Sequence, residues 1–389
     1  MARSYDYIIV GAGILGASTA HYLAKKRAGR ILLLDRLEPA SGGTGKSAAI
    51  VRSFYTIPLM ARLAREAVKL FHHLTEEIGG DGGFRATGFT QLVPREWVET
   101  TKEKVAMHRS LGIDTNFVPE PEWAQRFPWL NPDGVGAIVF ETSSGYADPV
   151  QTTESFVASF TRAGGEFRPR TPVRALLRNG AGVTGVLLED GEVSAGTVVN
   201  AAGPWAKFLA QSAGLELPLR AVREQDTIWE VRRGRPLPTT PVSNPIEAVY
   251  MRPMGENRWL FGRGFPKDYF DVDPYNFKQS CDEDYTIDLH DRWCKRIPAL
   301  QGATLVSGYA ALYDVTPDWM PFVGPREDVK GYCDASGGSG HAFKTGAVFG
   351  RELVDWMVDN HVRDDFQQLS FDRIAGKQLF QQAFGGNRV

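Results

Sequence analysis

The sequence predicts an α/β (α+β) protein, with a Rossmann-like dinucleotide-binding unit interleaved with a second, mainly antiparallel β-sheet unit. Three observations lead there. The chain opens as strand, glycine-rich turn, helix and strand. Its middle turns to hairpin-forming strands, then to a long β-rich stretch. No internal repeat or low-complexity linker divides it, so the two units are read as discontinuous segments rather than beads on a string.

The elements follow in order. Tyr7 to Val10 is a short β-branched apolar run, followed by GAGILG, a helical ASTAHYLAKKR and the strand RILLLD. Leu59, Leu63, Val68, Leu70 and Leu74 recur at helical spacing, which predicts one amphipathic helix over 57–78, stopped by Gly79-Gly80-Asp81-Gly82-Gly83. Helices are expected around 95–111 and over 149–163. From Phe167 come RPRTPVRALLRN, GVTGVLLED and GEVSAGTVVNAAG, with a hairpin turn at Asp190-Gly191. A helix follows Trp205, strands fill 219–263, a helix is expected over 288–297, and the last helix over 343–358. The expected division is a cofactor domain of 1–80, 147–218 and 306–389, and a roof domain of 81–146 and 219–305.

Composition excludes several classes. The 389 residues carry a formal charge of −2, which gives no electrostatic reason for a nucleic-acid partner. Cys281, Cys294 and Cys333 form no CxxC, and the seven histidines form no HxxxH or HExxH, so neither a redox dithiol nor a metal site is expected. No run is long and apolar enough for a membrane span, and MARSYDYIIVGAG lacks the apolar core of a signal peptide. The expected location is the cytoplasm, with reduced thiols.

The chemistry begins at Gly11, Gly13 and Gly16. The first makes the tight turn, the second lets backbone approach a pyrophosphate, and the third lets helix pack closely on strand. The helix N-terminus adds free N–H groups and partial positive charge. The next strand ends in Asp35, positioned to accept hydrogen bonds from ribose hydroxyls. This loop alone does not choose between NAD and FAD. A second glycine-rich turn, ASGGSGHAFKTG (Ala335 to Gly346), looks like a phosphate loop. Phe343, however, stands where such a loop wants glycine before its Lys-Thr pair.

Four motifs occur together in order: VGAGILG with Asp35; SGGTGKSAAIVR (Ser41 to Arg52); NAAGPWA (Asn200 to Ala206); and ALYDVTPDWMPFVG (Ala311 to Gly324) with GGSGHAFK (Gly337 to Lys344). With these the chain resembles the D-amino-acid-oxidase superfamily of FAD-dependent oxidoreductases, nearest the β-subunit-type sarcosine oxidase and dimethylglycine dehydrogenase group. The resemblance implies an FAD-binding domain roofed by an antiparallel sheet. It implies cofactor contacts from Gly11, Gly13, Ile14, Gly16, Asp35, Arg36, Gly43, Ser47, Ala48, Ala49, Val173, Ala202, Gly203, Trp205, Leu312, Gly338, Ser339, Gly340, His341 and Lys344. The GGSGHAFK turn is expected against the pyrimidine edge of the flavin, where a helix N-terminus stabilises the charge of the reduced ring. Arg52 and Lys344 are implied as a clamp for an amino-acid carboxylate, the first bidentate and the second a point charge. Tyr250 and Tyr313 are implied to shape the amine pocket.

The sequence also departs from that family. Monomeric sarcosine oxidases bond FAD to a cysteine at the place of Ala311, so noncovalent FAD is expected here. They carry an oxygen-promoting lysine in the sheet after the first active-site tyrosine. No lysine lies between Tyr250 and Pro266, where Arg258 and Arg263 are the nearest cations, and Ala49 replaces an arginine. These details weigh toward a dehydrogenase. The expected activity is oxidation of an N-substituted or cyclic, sarcosine-like amino acid to an imine that hydrolyses, with oxygen, a quinone or a protein as acceptor. Two alternatives stand beside it: a D-amino-acid or glycine oxidase of the same fold, and a flavin-bearing subunit of a larger amine dehydrogenase, inactive alone. Homo- and hetero-oligomers are both compatible with the pattern.

Overall fold

The computed structural model describes residues 4–180, 182–255 and 257–381. The first three residues of the N-terminal stretch read above and residues 382–389 of the expected cofactor domain lie outside them. The strands are β1 Ser4–Val10, β2 Ile31–Leu34, β3 Ile50–Val51, β4 Phe89–Pro94, β5 Thr115–Val118, β6 Val135–Glu141, β7 Gly145–Tyr146, β8 Glu166–Arg168 and β9 Ala175–Asn179. They continue as β10 Gly182–Leu188, β11 Gly191–Asn200, β12 Arg220–Glu230, β13 Val242–Asn244, β14 Val249–Gly255, β15 Arg258–Arg263, β16 Thr304–Val315, β17 Phe322–Pro325 and β18 Tyr332–Ser336. The helices are α1 Ile14–Lys25, α2 Pro58–His72, α3 Leu74–Ile78, α4 Val98–Ser110, α5 Trp123–Arg126, α6 Pro149–Arg162, α7 Ala206–Gln211, α8 Glu283–Arg296, α9 Ala342–Asp359, α10 Asp364–Gln367 and α11 Asp372–Ala375.

The first sheet runs β17-β18-β11-β1-β2-β8, with β10 and β9 continuing from β11. Its centre is parallel: Val10 lies opposite both Leu34 and Asn200, and Asn200 opposite Asp334. Ile8, Ile9, Leu32, Leu33, Val198 and Val199 are fully buried, as parallel strands covered on both faces require. The second sheet, β16-β12-β15-β14-β13-β4-β6-β5, is antiparallel except where β13 meets β4. Its core gathers Met251, Phe261, Leu289 and Trp293 beneath α8. β16 pairs with β12 along its length, so this strand belongs to the second sheet although the expected boundary fell inside it.

Helices α1 and α9 lie side by side and point the same way. A Cβ at Gly346 would come within 2.8 Å of Ile14, and one at Gly350 within 2.8 Å of the Ser18 Cβ. Ser18 Oγ donates to the Gly346 carbonyl at 2.9 Å. Both N-termini therefore open at the carboxyl ends of β1, β11 and β18, where open parallel sheets bind ligands.

The expected 57–78 helix breaks at His73, whose backbone (φ −120°, ψ 22°) leaves the helical region before α3 resumes at Leu74. Helix α8 starts at Glu283, ahead of the expected 288: its acidic first turn, Glu283 and Asp284, suits a helix N-terminus but reads as polar loop. Among the described residues no helix is long and apolar enough to cross a membrane.

Candidate active site

One deep cavity runs from the end of β2 to the underside of the second sheet, enclosing about 610 Å³. Its nucleotide end is built by the first turn. Gly11 adopts φ +108°, and a Cβ there would run into the Ala201 carbonyl; the turn needs glycine for both reasons. Ile14 N–H donates to Thr44 Oγ1 at 3.2 Å, and the first turn of α1 has no acidic residue to quench its positive end. Asp35 accepts from Ala12 N–H at 2.7 Å and Leu37 N–H at 2.8 Å while still forming part of the wall. Burial pushes its carboxyl up, against the pull of those two donors. Arg36 stacks 3.6 Å over the Trp205 ring, whose buried Nε1–H finds no acceptor among the described residues. Val173, Ala202 and Gly203 complete this end, and Gly43, Ser47, Ala48 and Ala49 line the middle. Gly43 sits against β16, where a Cβ would stand 2.9 Å from the Leu312 carbonyl. A long, glycine-walled trench with a helix N-terminus and an unpartnered indole donor fits a bound dinucleotide.

The second turn closes the other side. Asp314, half-buried at the end of β16, accepts Gly337 N–H at 2.7 Å on its carboxylate, and its carbonyl accepts Ser339 N–H at 3.1 Å. Thr316 N–H donates to Ser339 Oγ at 3.3 Å, and Ser339 itself holds φ +47°. These bonds hold the turn so that Ser339, Gly340 and His341 face the cavity at the N-terminus of α9, which begins at Ala342 with no acidic residue in its first turn. Gly16 and Gly338, expected among the cofactor contacts, are not among the residues that line the cavity. Gly16 packs α1 onto β1, where a Cβ would strike the Gly11 carbonyl, and a Cβ on Gly338 would strike Ala342.

Arg52 and Lys344 meet around a residue the sequence reading passed over. Lys344 Nζ donates to the Tyr55 hydroxyl at 3.0 Å, and the Arg52 guanidinium lies 4.6 Å from the centre of the same ring. Arg52 also donates to the Phe54 carbonyl. Neither cation forms an ion pair among the described residues. Lys344 is 7% exposed; burial first, then the charge of Arg52, holds its ammonium well below the usual lysine range. An anion entering here meets two under-neutralised donors in a low-dielectric pocket.

Across the cavity stand Tyr250 on β14 and Tyr313 on β16, both lining it and in contact with each other. Tyr250 donates to Asp226 Oδ1 at 2.7 Å, and the Tyr309 hydroxyl lies 3.4 Å from Oδ2. Asp226 was not singled out from sequence. Lys267 also faces the cavity, bonded to Glu224 and, at 2.9 Å, to the Arg263 carbonyl, with the Tyr313 ring centre 5.9 Å away. No lysine lies between Tyr250 and Pro266, but Lys267 follows directly and its side chain reaches the cavity wall. The local signals for the other two omissions were thin, an aromatic pair after Arg52 for Tyr55 and an acid in an alternating strand for Asp226.

The geometry agrees with three comparisons. The chain matches the family model for FAD dependent oxidoreductases named DAO over residues 6–356. It is similar to mitochondrial dimethylglycine dehydrogenase of Homo sapiens, 28% identical over 396 residues that cover 95% of this chain and 44% of that protein, so the chain spans less than half that relative's length. In three dimensions it is similar to L-proline dehydrogenase from P. horikoshii, with a TM-score of 0.89 and 23% identity over 98% of this chain and 100% of that one. Glycine oxidase from Geobacillus kaustophilus gives a TM-score of 0.83 and 22% identity, covering 95% and 99%. Glycine-walled trench, paired helix N-termini and family match agree, and the chain belongs to the DAO family of FAD-dependent oxidoreductases.

Proposed function

We propose that this protein oxidises the carbon–nitrogen bond of an N-substituted or cyclic amino acid. FAD, when bound, would supply the chemistry as hydride acceptor for the carbon beside nitrogen, and the imine product would hydrolyse. The observation that carries this reading is the convergence of Arg52 and Lys344 on Tyr55 inside the same cavity as Tyr250 and Tyr313. Two cations without a carboxylate partner suit the anionic end of an amino acid, and the tyrosine wall suits its amine. Dimethylglycine dehydrogenase among the relatives supports an N-methylated substrate.

In this reading Gly11, Gly13 and Ile14 hold the pyrophosphate, Asp35 and Arg36 the ribose, Val173 the adenine side, and Ser339 to His341 the flavin edge. No cysteine is among the residues that line the cavity, which supports noncovalent FAD. The cofactor domain and roof are assigned as in the sequence division, with β16 joining them. Three free thiols support a reducing, cytoplasmic setting. Lys267 in the cavity supports oxygen as well as a quinone or protein acceptor.

The test is anaerobic bleaching of the flavin by N-methylglycine, N,N-dimethylglycine, L- and D-proline, glycine and D-alanine, followed by air. Bleaching by an N-substituted or cyclic acid supports the proposal, and recovery in air identifies oxygen as acceptor. Bleaching by glycine or D-alanine alone replaces it with the primary amino-acid reading, which the fold shared with glycine oxidase supports. Flavin that no compound bleaches favours a subunit of a larger assembly.

A further inference from the structure

We propose that Asp226, acting through Tyr250, takes the proton that an ammonium substrate must lose before its carbon–nitrogen bond is oxidised. The inference rests on the proposed function and adds a positioning residue to it.

The pair is built into the sheet. Asp226 on β12 and Tyr250 on β14 both face Gly262 of the intervening strand β15. A Cβ at Gly262 would collide with Asp226 Oδ1 and the Tyr250 hydroxyl together, so the glycine makes the room in which the two meet. Both residues line the cavity beside Tyr313. Tyr250 donates to Oδ1, and the Tyr309 hydroxyl near Oδ2 also donates to the Lys46 carbonyl at 3.1 Å.

Two tyrosine hydroxyls and the charge of Lys267 favour the Asp226 carboxylate, but among the described residues it forms no ion pair. Glu224 on its own strand engages Lys267 from the segment after β15. Cys281 and Tyr285 approach from the start of α8 and the loop before it, Tyr309 and Tyr313 from β16, and Arg252 from β14. Burial pushes the Asp226 carboxyl up to about 7, against the donation from Tyr250. Asp226 is therefore an acceptor that changes state in the neutral range, where a general base works best.

The step balances without electron transfer. An N–H bond of the ammonium breaks, its proton passes to the Tyr250 oxygen, and the Tyr250 proton passes to Asp226 Oδ1. One ammonium and one carboxylate become one amine and one carboxylic acid.

The experiment uses the FAD-loaded chain and two readouts. Infrared difference spectra between about pH 5 and about pH 9, with no substrate present, are expected to show a protonated carboxyl that titrates near neutrality and is missing in Asp226→Asn. The rate of anaerobic flavin bleaching by N-methylglycine, or by whichever compound of the panel bleaches best, is expected to rise through the same pH range. Asp226→Asn is expected to lose that rise and to slow bleaching about 10²-fold, while Asp226→Glu keeps a displaced one. Tyr250→Phe is expected to retain the titrating carboxyl but lose the pH-dependent rise, which separates proton passage from folding. A carboxyl ionised throughout the range overturns the inference even if no compound bleaches the flavin, an outcome that by itself sinks only the proposed activity. Equal pH profiles in the parent and Asp226→Asn also overturn it and leave that activity standing.

Discussion

Replacing Lys344 with Met tests the anion clamp through its protons. Lys344 sits near Arg52 and is almost fully enclosed, and both facts disfavour its charged form. A carboxylate bound between the two cations reverses the balance, because an opposite charge within contact distance favours the ammonium. Binding of a plain carboxylate such as acetate or benzoate should therefore take up protons from solvent wherever the lysine is neutral in the free protein. Affinity should fall as pH rises, by up to about tenfold per pH unit where the lysine is neutral in the free protein and charged in the complex. A charge-assisted hydrogen bond contributes about 1.5–3 kcal/mol, so Lys344→Met should weaken binding roughly 10- to 150-fold and abolish the proton uptake. Arg52→Lys should keep the charge and lose the two parallel donors, at a cost nearer the lower figure. Titration calorimetry in two buffers of different ionisation enthalpy measures both quantities at once. Unchanged affinity and undiminished proton uptake in Lys344→Met would refute the clamp.

Other consequences are direct. Gly11→Ala forces a side chain into the Ala201 carbonyl at φ +108°; a loss of at least about 1–3 kcal/mol and of bound flavin is expected, read by denaturant unfolding and by the visible spectrum. Gly350→Val overpacks the seam between α1 and α9 against Ser18 and should cost about 1–3 kcal/mol, visible as a lowered Tm. Asp314→Ala leaves the Gly337 N–H without its carboxylate acceptor, while the Ser339 N–H keeps the residue-314 carbonyl; about 1–3 kcal/mol of stability and a measurable share of flavin affinity should go. Asp226 has a folded-state pKa raised to about 7 from 3.8, so the folded protein binds more protons than the unfolded chain between those values. Stability therefore falls as pH rises across that window, by at most about 4 kcal/mol, and stays low above it. Asp226→Asn should flatten that slope in a pH series of urea melts.

The first turn and its neighbours were legible because their reasons are local. Gly11 is demanded by one backbone angle, Asp35 by the end of the next strand, and the strand–turn–helix order by periodicity alone. GGSGHAFK was legible in kind, since a glycine turn feeding a helix announces an anion site without saying which. What eluded the sequence depends on distance in the chain. Tyr55 acquires its meaning only when α9 brings Lys344 to it, 289 residues away. Asp226 reads as one more polar residue in an alternating strand until β14 delivers Tyr250. Lys267 was lost to a boundary: the strand ends at Arg263, but the chain doubles back and returns the lysine to Glu224. Asp314 sat in a quoted motif, yet its task of holding a turn more than twenty residues later is a tertiary one.

Together these two facing walls of the cavity select for charge pattern. Arg52 and Lys344 offer nothing to a cation, and Asp226 with Tyr250 offers nothing to an anion. A zwitterion satisfies both, and each half of it lowers the cost of burying the other. Removing the carboxylate should therefore hurt more than the loss of one contact. The free amine would enter a pocket holding a desolvated guanidinium and a lysine that has no reason to accept a proton. N-methylglycine amide keeps the reacting carbon, the nitrogen and nearly the same shape, and differs in that charge alone. Its rate of anaerobic flavin bleaching, relative to concentration, should be lower than that of N-methylglycine by about 10²-fold or more, from two charge-assisted bonds at about 1.5–3 kcal/mol each. In Lys344→Met the ratio should shrink, because the carboxylate has lost half of its advantage. Equal rates for acid and amide in the parent protein would mean that the cations serve the flavin alone, and the substrate would have to be sought among amines without a carboxylate.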